Sequence, residues 1–162
     1  MMPDNPLLRG DIVFDAKPDA VPYNYRISYK VSQLCLIMRI CGWQDSCSLI
    51  KLHMISFALY TRESMDKLLK FAKNELTNPP IVRFDPAVNK ALTFAIAYGF
   101  VTQQKSGSFK LTDRGRNFAD QIKFAGDLMV SEILDLSELS KKLTESKIKE
   151  LSEIWGDKNA ED

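Results

Sequence analysis

Apolar residues recur along this chain mostly at three- and four-residue intervals, and in two places they crowd every face of the helix they predict. The first helix is predicted over Tyr25–Cys41. Ile27, Val31, Leu34, Cys35, Met38 and Cys41 form its stripe, and Leu36, Ile37 and Ile40 leave its C-terminal half almost no polar face. It ends at Gly42, a residue that accepts the left-handed C′ conformation. The second helix, predicted over Ser46–Tyr60, carries Leu49, Ile50, Leu52, Met54, Ile55, Phe57, Ala58 and Leu59. A helix apolar all round must be covered all round, and small domains bury a lower fraction of their surface than large ones. Either these two helices form the centre of the fold, or part of their surface meets a partner. Lys51 and His53 sit among these residues. His53 reads as a satisfied, partly buried side chain rather than a catalytic base, because no nucleophile with a carboxylate partner can be placed beside it.

A third helix follows Thr61, a good N-cap, and runs to about Glu75 with Met65, Leu68, Leu69 and Ala72 on one stripe. Asn78–Pro79–Pro80 then breaks the chain. Helices are also predicted over Asp113–Phe124, over Asp127–Lys142 and from Thr144 onward. Leu143 before that last cap and Ile148 at N4 are placed for a hydrophobic staple. Leu151, Ile154 and Trp155 continue the stripe to Gly156. At the other end, Pro3, Pro6, Pro18 and Pro22 exclude a long helix. Residues 1–24 are therefore either a loose terminus or an extended arm, ordered only where something covers Ile12 and Phe14. The chain divides into this arm, a helical core over 25–124, a helical extension over 127–156 and a charged tail over 157–162.

Residues 81–123 change period. Ile81–Phe84 is β-prone, Asp85 can cap a helix and Pro86 suits its N1 position. Val88, Ala91, Leu92, Ala95, Ile96 and Gly99 then recur with helical spacing. Phe100–Gln103, a polar turn containing Gly107, and Phe109–Leu111 predict a β-hairpin. Thr112 caps the next helix, and Gly115 in its first turn leaves room for packing against the hairpin. The order helix, YGFV, hairpin, LTDRG, helix resembles the end of a winged helix-turn-helix domain. The expected fold class is thus mainly α with a small β-hairpin, a winged helix-turn-helix with flanking helices. That fold does not specify function.

Charge narrows the functional classes. Twenty-two Lys and Arg against 21 Asp and Glu give a net charge of +1, so no global field draws the chain to nucleic acid or an anionic membrane. Any DNA contact has to come from a local patch. Lys90 on the helix before the hairpin, Lys105 and Lys110 in the wing, and Arg114, Arg116 and Lys123 on the next helix are the candidates. They are thin for base readout and read equally as ordinary solvated charges. Cys35, Cys41 and Cys47, an odd count without a secretory signal, predict buried free thiols in a reducing, cytoplasmic setting. With His53 they are spaced six apart, which suits no zinc site. No metal, cofactor or membrane span is expected, and the sequence has no phosphate-binding loop or metalloprotease motif.

A longer pattern narrows the reading further. YRISYKVSQL, SLIKLHMISFAL, IVRFDPAVNKALTFAIAYGFV and KLTDRGRNFADQI, in that order over about residues 23–155, resemble the small middle components of bacterial ABC-three-component anti-phage systems, including the Lamassu type. The resemblance implies a non-enzymatic accessory subunit that sits on an SMC-like ATPase and links it to an effector, commonly a nuclease. It transfers no catalytic residue. Leu143, Ile148, Leu151, Ile154 and Trp155, together with Ile12 and Phe14, either pack on the chain's own core or dock on the ATPase. The alternative function is a winged-helix DNA-binding transcriptional regulator acting as a homodimer.

Overall fold

In the computed structural model, which describes residues 26–76, 80, 82–151 and 153, the helix apolar on all sides is indeed covered on all sides. Helix α1 (Ile27–Cys41) buries Val31 and every residue from Gln33 to Met38. Four helices pack on it: α2 (Leu49–Ala58), α4 (Pro86–Ala97), α5 (Asp113–Ala125) and α6 (Val130–Leu139). Helix α3 (Arg62–Ala72) packs on α2 and α6. Of the two alternatives for the apolar helices, the structure adopts the first: they are the centre of the fold.

Short-range capping sets most helix starts. The side chains of Ser48, Thr61, Asp85 and Thr112 accept backbone N–H groups in the first turns of α2, α3, α4 and α5, each satisfying a donor the helix leaves open. Pro86 occupies the first turn of α4 as expected.

Gly42 ends α1 by a different route from the one expected. Its φ of −80° and ψ of 145° are extended, not left-handed. A Cβ there would lie 2.5 Å from the Met38 carbonyl oxygen and 2.8 Å from that of Ser46, so glycine is required for close approach. The chain then reverses through Gln44 and Asp45, with φ of 52° and 62°, and Trp43 and Ser46 bridge. Two positive-φ residues match the twist of a tight hairpin turn. Ser46 and Cys47 are consequently strand β1 rather than the start of α2.

β1 completes a sheet that the hairpin alone does not make. Strands β2 (Val101–Gln103) and β3 (Phe109–Leu111) pair antiparallel, and β1 pairs antiparallel with the other edge of β3, giving the order β1-β3-β2. Phe109 and Leu111 point inward and Lys110, opposite both Ser46 and Thr102, lies on the outer face. A mainly helical chain with a small three-stranded antiparallel sheet, in the order α1-β1-α2-α3-α4-β2-β3, is compatible with a winged helix-turn-helix. β1 adds to this sheet a strand from before residue 81. Gly115 keeps α5 against the hairpin, because a Cβ there would collide with the Phe100 carbonyl.

The extension folds onto the core. α6 is shorter at both ends than the expected 127–142, bounded by Met129 and Ser140 at positive φ. Beyond it the backbone is helical over 145–151. Glu145 accepts the Ser48 N–H at 3.1 Å. The Lys147 ammonium donates to the Phe71 and Ala72 carbonyls at the C-terminal end of α3, and to the Asn74 side chain.

Candidate interaction surfaces

The six basic residues expected to touch DNA do not stand alike. Lys90, Lys105, Arg114 and Lys123 are exposed, and Lys110 is half-buried on the outer sheet face. Among the described residues none of these five has a carboxylate within ion-pair distance. Arg116 does: it pairs with Asp45 at 3.6 Å and with Asp113 one turn back. Arg39, which sequence reasoning did not single out, joins α1 to α5 by donating from Nε and a terminal nitrogen to both oxygens of Asp120, and it donates also to Asp45. Hydrogen bonding to Arg39 holds the Asp120 carboxyl below its usual range, and the same bonds raise Arg39 further. The positive charge of Arg39 and Arg116 is thus spent on Asp45, Asp113 and Asp120. Arg114 instead lies over the Phe100 ring, 5.4 Å from its centroid.

Leu143, Ile148 and Leu151 are buried in the chain's own core. As partner-docking residues they are corrected by this burial: the staple closes on the domain, and none of the three is open to a partner. Ile12, Phe14, Ile154 and Trp155 lie outside the described residues.

The exposed apolar surface is elsewhere. At the α5–α6 junction Phe124 is 81% exposed and Leu134 65%, with Leu128 and Val130 about half exposed between them. The second patch is on α4. Phe94 and Tyr98, four residues apart, are exposed on one side there; Ile96 is exposed on the other side of the buried stripe, and Phe84, which packs on His53 just before the helix, is more exposed still. Ile96 was expected on the buried stripe. Val88, Ala91, Leu92 and Ala95 already fill that face, and Ile96 falls beside it. The ring contacts of this patch continue inward through Phe100 to Phe118.

Beneath these surfaces lies a buried polar cluster. Lys30 is fully buried and donates to Gln33 Oε1 and Ser56 Oγ, each at 3.0 Å, under the Tyr60 ring. Burial lowers its pKa, with Asp85 acting the other way. Lys51 donates to the Cys41 carbonyl at 2.8 Å and so ties down the end of α1. His53, expected to be partly buried and satisfied, is fully buried and only half satisfied: Nδ1 accepts the Asp85 N–H, while Nε2 has no hydrogen-bond partner among the described residues. Each of these groups joins two elements, and among the described residues no nucleophile is hydrogen-bonded to His53. The three cysteines are buried free thiols, pushed up to about 12 by burial, which makes them poor nucleophiles. Among the described residues no cluster of His, Cys, Asp and Glu is arranged to hold a metal ion. Nor is any helix of the described residues long and apolar enough to cross a membrane.

Comparison with protein families, with curated proteins and with solved structures returns no match to this chain. The surfaces themselves therefore carry the functional reading.

Proposed function

We propose that the chain is a non-enzymatic accessory subunit of an SMC-like ATPase anti-phage complex, bridging the ATPase and an effector nuclease in the cytoplasm. Two separate exposed apolar patches support it, one at the α5–α6 junction around Phe124 and Leu134, the other on α4 around Phe94 and Tyr98. The core is already filled without them, and exposed apolar patches of this kind mark protein contacts. A bridging subunit needs two such surfaces. The three unreactive thiols accord with a reducing compartment.

The α4 patch also bears on the alternative. In a DNA-reading winged helix the helix before the hairpin presents side chains to base edges. Here the exposed side of α4 offers Asn89, Lys90, Thr93 and Phe94, with Tyr98 at its end, and of these only Asn89 and Lys90 are of the types that read base edges. Two such groups are few for base readout, so the homodimeric sequence-specific regulator is kept as the alternative. Weak, non-sequence-specific duplex contact through the wing is retained in the proposal.

Co-expression of the full chain with the SMC-like ATPase and the effector encoded beside it tests the reading. Leu134→Glu and Phe94→Glu change exposed positions and should leave the isolated chain folded. Each is expected to release one partner and keep the other. If no such ATPase co-purifies with the unaltered chain, or if both variants retain both partners in full, the proposal fails.

A further inference from the structure

The α4 patch is the outer end of a ladder of rings. Phe94 and Tyr98 stand 6.1 Å apart between centroids, Tyr98 and Phe100 stand 5.8 Å apart, and Phe100 stacks almost parallel on Phe118 at 4.5 Å. The two outer rings are exposed and the two inner rings half-buried, so the ladder runs from solvent into the packing between hairpin and α5. A ring row anchored in this way is held in place before any partner arrives, which reduces the ordering cost of binding.

The segment that carries Phe94, Tyr98 and Phe100 has charge of one sign. From Pro86 to Thr112 the chain contains Lys90, Lys105 and Lys110 and no Asp or Glu. Lys90 lies one helical turn before Phe94, and Arg114 covers the inner end of the row on Phe100. The carboxylates on either side of this stretch are both engaged: Asp85 with Tyr60 and the Ala87 N–H, Asp113 with Arg116.

We propose that this ladder docks an acidic amphipathic segment of a protein partner, one that presents large apolar side chains to Phe94 and Tyr98 and carboxylates to Lys90 and Arg114. This rests on the bridging-subunit reading and names the chemistry of one of its two partners. Single-stranded nucleic acid also stacks on exposed rings, but it needs a run of cations tracking its phosphates. Among the described residues Lys90, four positions before Phe94, and Arg114, over Phe100, are the cations placed at these rings, and Arg116 is tied to two carboxylates.

The test uses the full-length chain and three fluorescein-labelled probes, read by anisotropy. Two are synthetic amphipathic helical peptides with the same Leu and Trp face, one with Glu and the other with Lys on its polar face; the third is an oligothymidylate. The Glu peptide is expected to bind at least about tenfold more tightly than the Lys peptide, a difference of about 1.4 kcal/mol. Phe94→Ala with Tyr98→Ala should weaken it by about tenfold or more while the chain stays folded at the assay temperature, as its melt would show. Lys90→Glu with Arg114→Glu should reverse the preference between the peptides. The proposal is overturned if the Glu peptide does not bind, if both peptides bind equally, or if the oligothymidylate binds more tightly. It is overturned too if the chain forms a dimer that Phe94→Ala dissolves, since a second copy then covers the row. All of these readouts use the isolated chain. Failure here alongside intact ATPase co-purification removes this inference and leaves the bridging reading standing.

Discussion

His53 Nδ1 accepts the backbone N–H of Asp85 at 3.1 Å, across 32 residues of sequence. Asp85 is the N-cap of α4, and its carboxylate takes the Ala87 N–H on one oxygen and the Tyr60 hydroxyl on the other. A histidine deep in α2 therefore positions the start of the helix that carries the aromatic ladder. An acceptor at Nδ1 places the ring proton on Nε2 and the ring in its neutral form.

That tautomer makes stability depend on pH in a defined direction. Burial lowers the His53 pKa, the Asn89 side chain and the Asp85 carboxylate oppose the shift, and the Lys30 ammonium adds to it. Desolvation is the strongest of these influences. A base held below its unfolded pKa of about 6.5 binds fewer protons folded than unfolded. Stability is then full above that value and declines as pH falls through it, until the folded pKa is passed, by up to about 1.4 kcal/mol per pH unit. Urea unfolding at pH 8 and below pH 6 should show this loss. His53→Asn keeps an acceptor and cannot titrate, so it should flatten the profile. An unchanged profile in that variant would assign the pH dependence to other groups.

Two buried lysines predict opposite mutational outcomes. Lys51 donates to the Cys41 carbonyl, and Lys51→Met leaves that buried acceptor without its donor, at a cost of about 1–3 kcal/mol. Among the described residues Lys30 has no carboxylate at hydrogen-bonding distance, and Ser56 Oγ keeps its own bond to Gln33 Oε1. Lys30→Met removes a desolvated charge and should be neutral or stabilising at neutral pH, as replacements of buried charges by apolar residues often are. Chemical denaturation of the two variants compares them directly.

Helix positions were largely legible because they rest on interactions spanning three or four residues. Thr61, Asp85 and Thr112 were read as caps from residue type and the apolar spacing that follows, and all three side chains accept the expected N–H groups. What sequence could not show depends on distant partners. β1 is two residues long, follows a turn built from Gln44 and Asp45 instead of Asn-Gly, and exists because β3 offers it an edge. The surfaces were harder still. Arg114 and Arg116 look alike in sequence, yet one stacks on Phe100 and the other is neutralised from the β1 turn. Leu151 and Leu134 both sit on apolar stripes, and only the arrival of the C-terminal helix against α2 and α3 decides which is buried.

Two glycines should prove far less tolerant than a third. At Gly42 and Gly115 an added Cβ meets backbone oxygens of Met38 and Ser46, or of Phe100, and backbone cannot rotate away. Gly42→Ala and Gly115→Ala should each cost about 2–4 kcal/mol through forced displacement of packed segments. Gly107 has a φ of 93° but open space around it, so Gly107→Ala should cost only about 1 kcal/mol from the backbone. Thermal melts that rank Gly107→Ala as the worst of the three would contradict the close packing at the sheet.

Burial of the C-terminal helix gives a similar contrast. Leu151 is 4% exposed, and Leu151→Ala should lower the stability of the isolated chain by about 2–5 kcal/mol. An unchanged melting temperature, with a partner lost instead, would return this helix to the docking surface.

Salt dependence separates the two kinds of basic residue around the wing. If the chain touches duplex DNA through phosphates, each contact contributes about 0.9 to the slope of log affinity against log salt. Lys105 is exposed in the wing and has no carboxylate partner among the described residues, so Lys105→Gln should lower both affinity and slope and leave folding stability alone. Arg116 is held between Asp45 and Asp113. Arg116→Gln frees those two carboxylates near the sheet and should cost stability, by about 1 kcal/mol or less for a part-exposed pair. It removes no phosphate contact, so the slope should not fall. A slope that drops by about 0.9 in Arg116→Gln and stays constant in Lys105→Gln would mean that DNA displaces the carboxylates from Arg116, and the contact would then centre on α5 and the β1 turn.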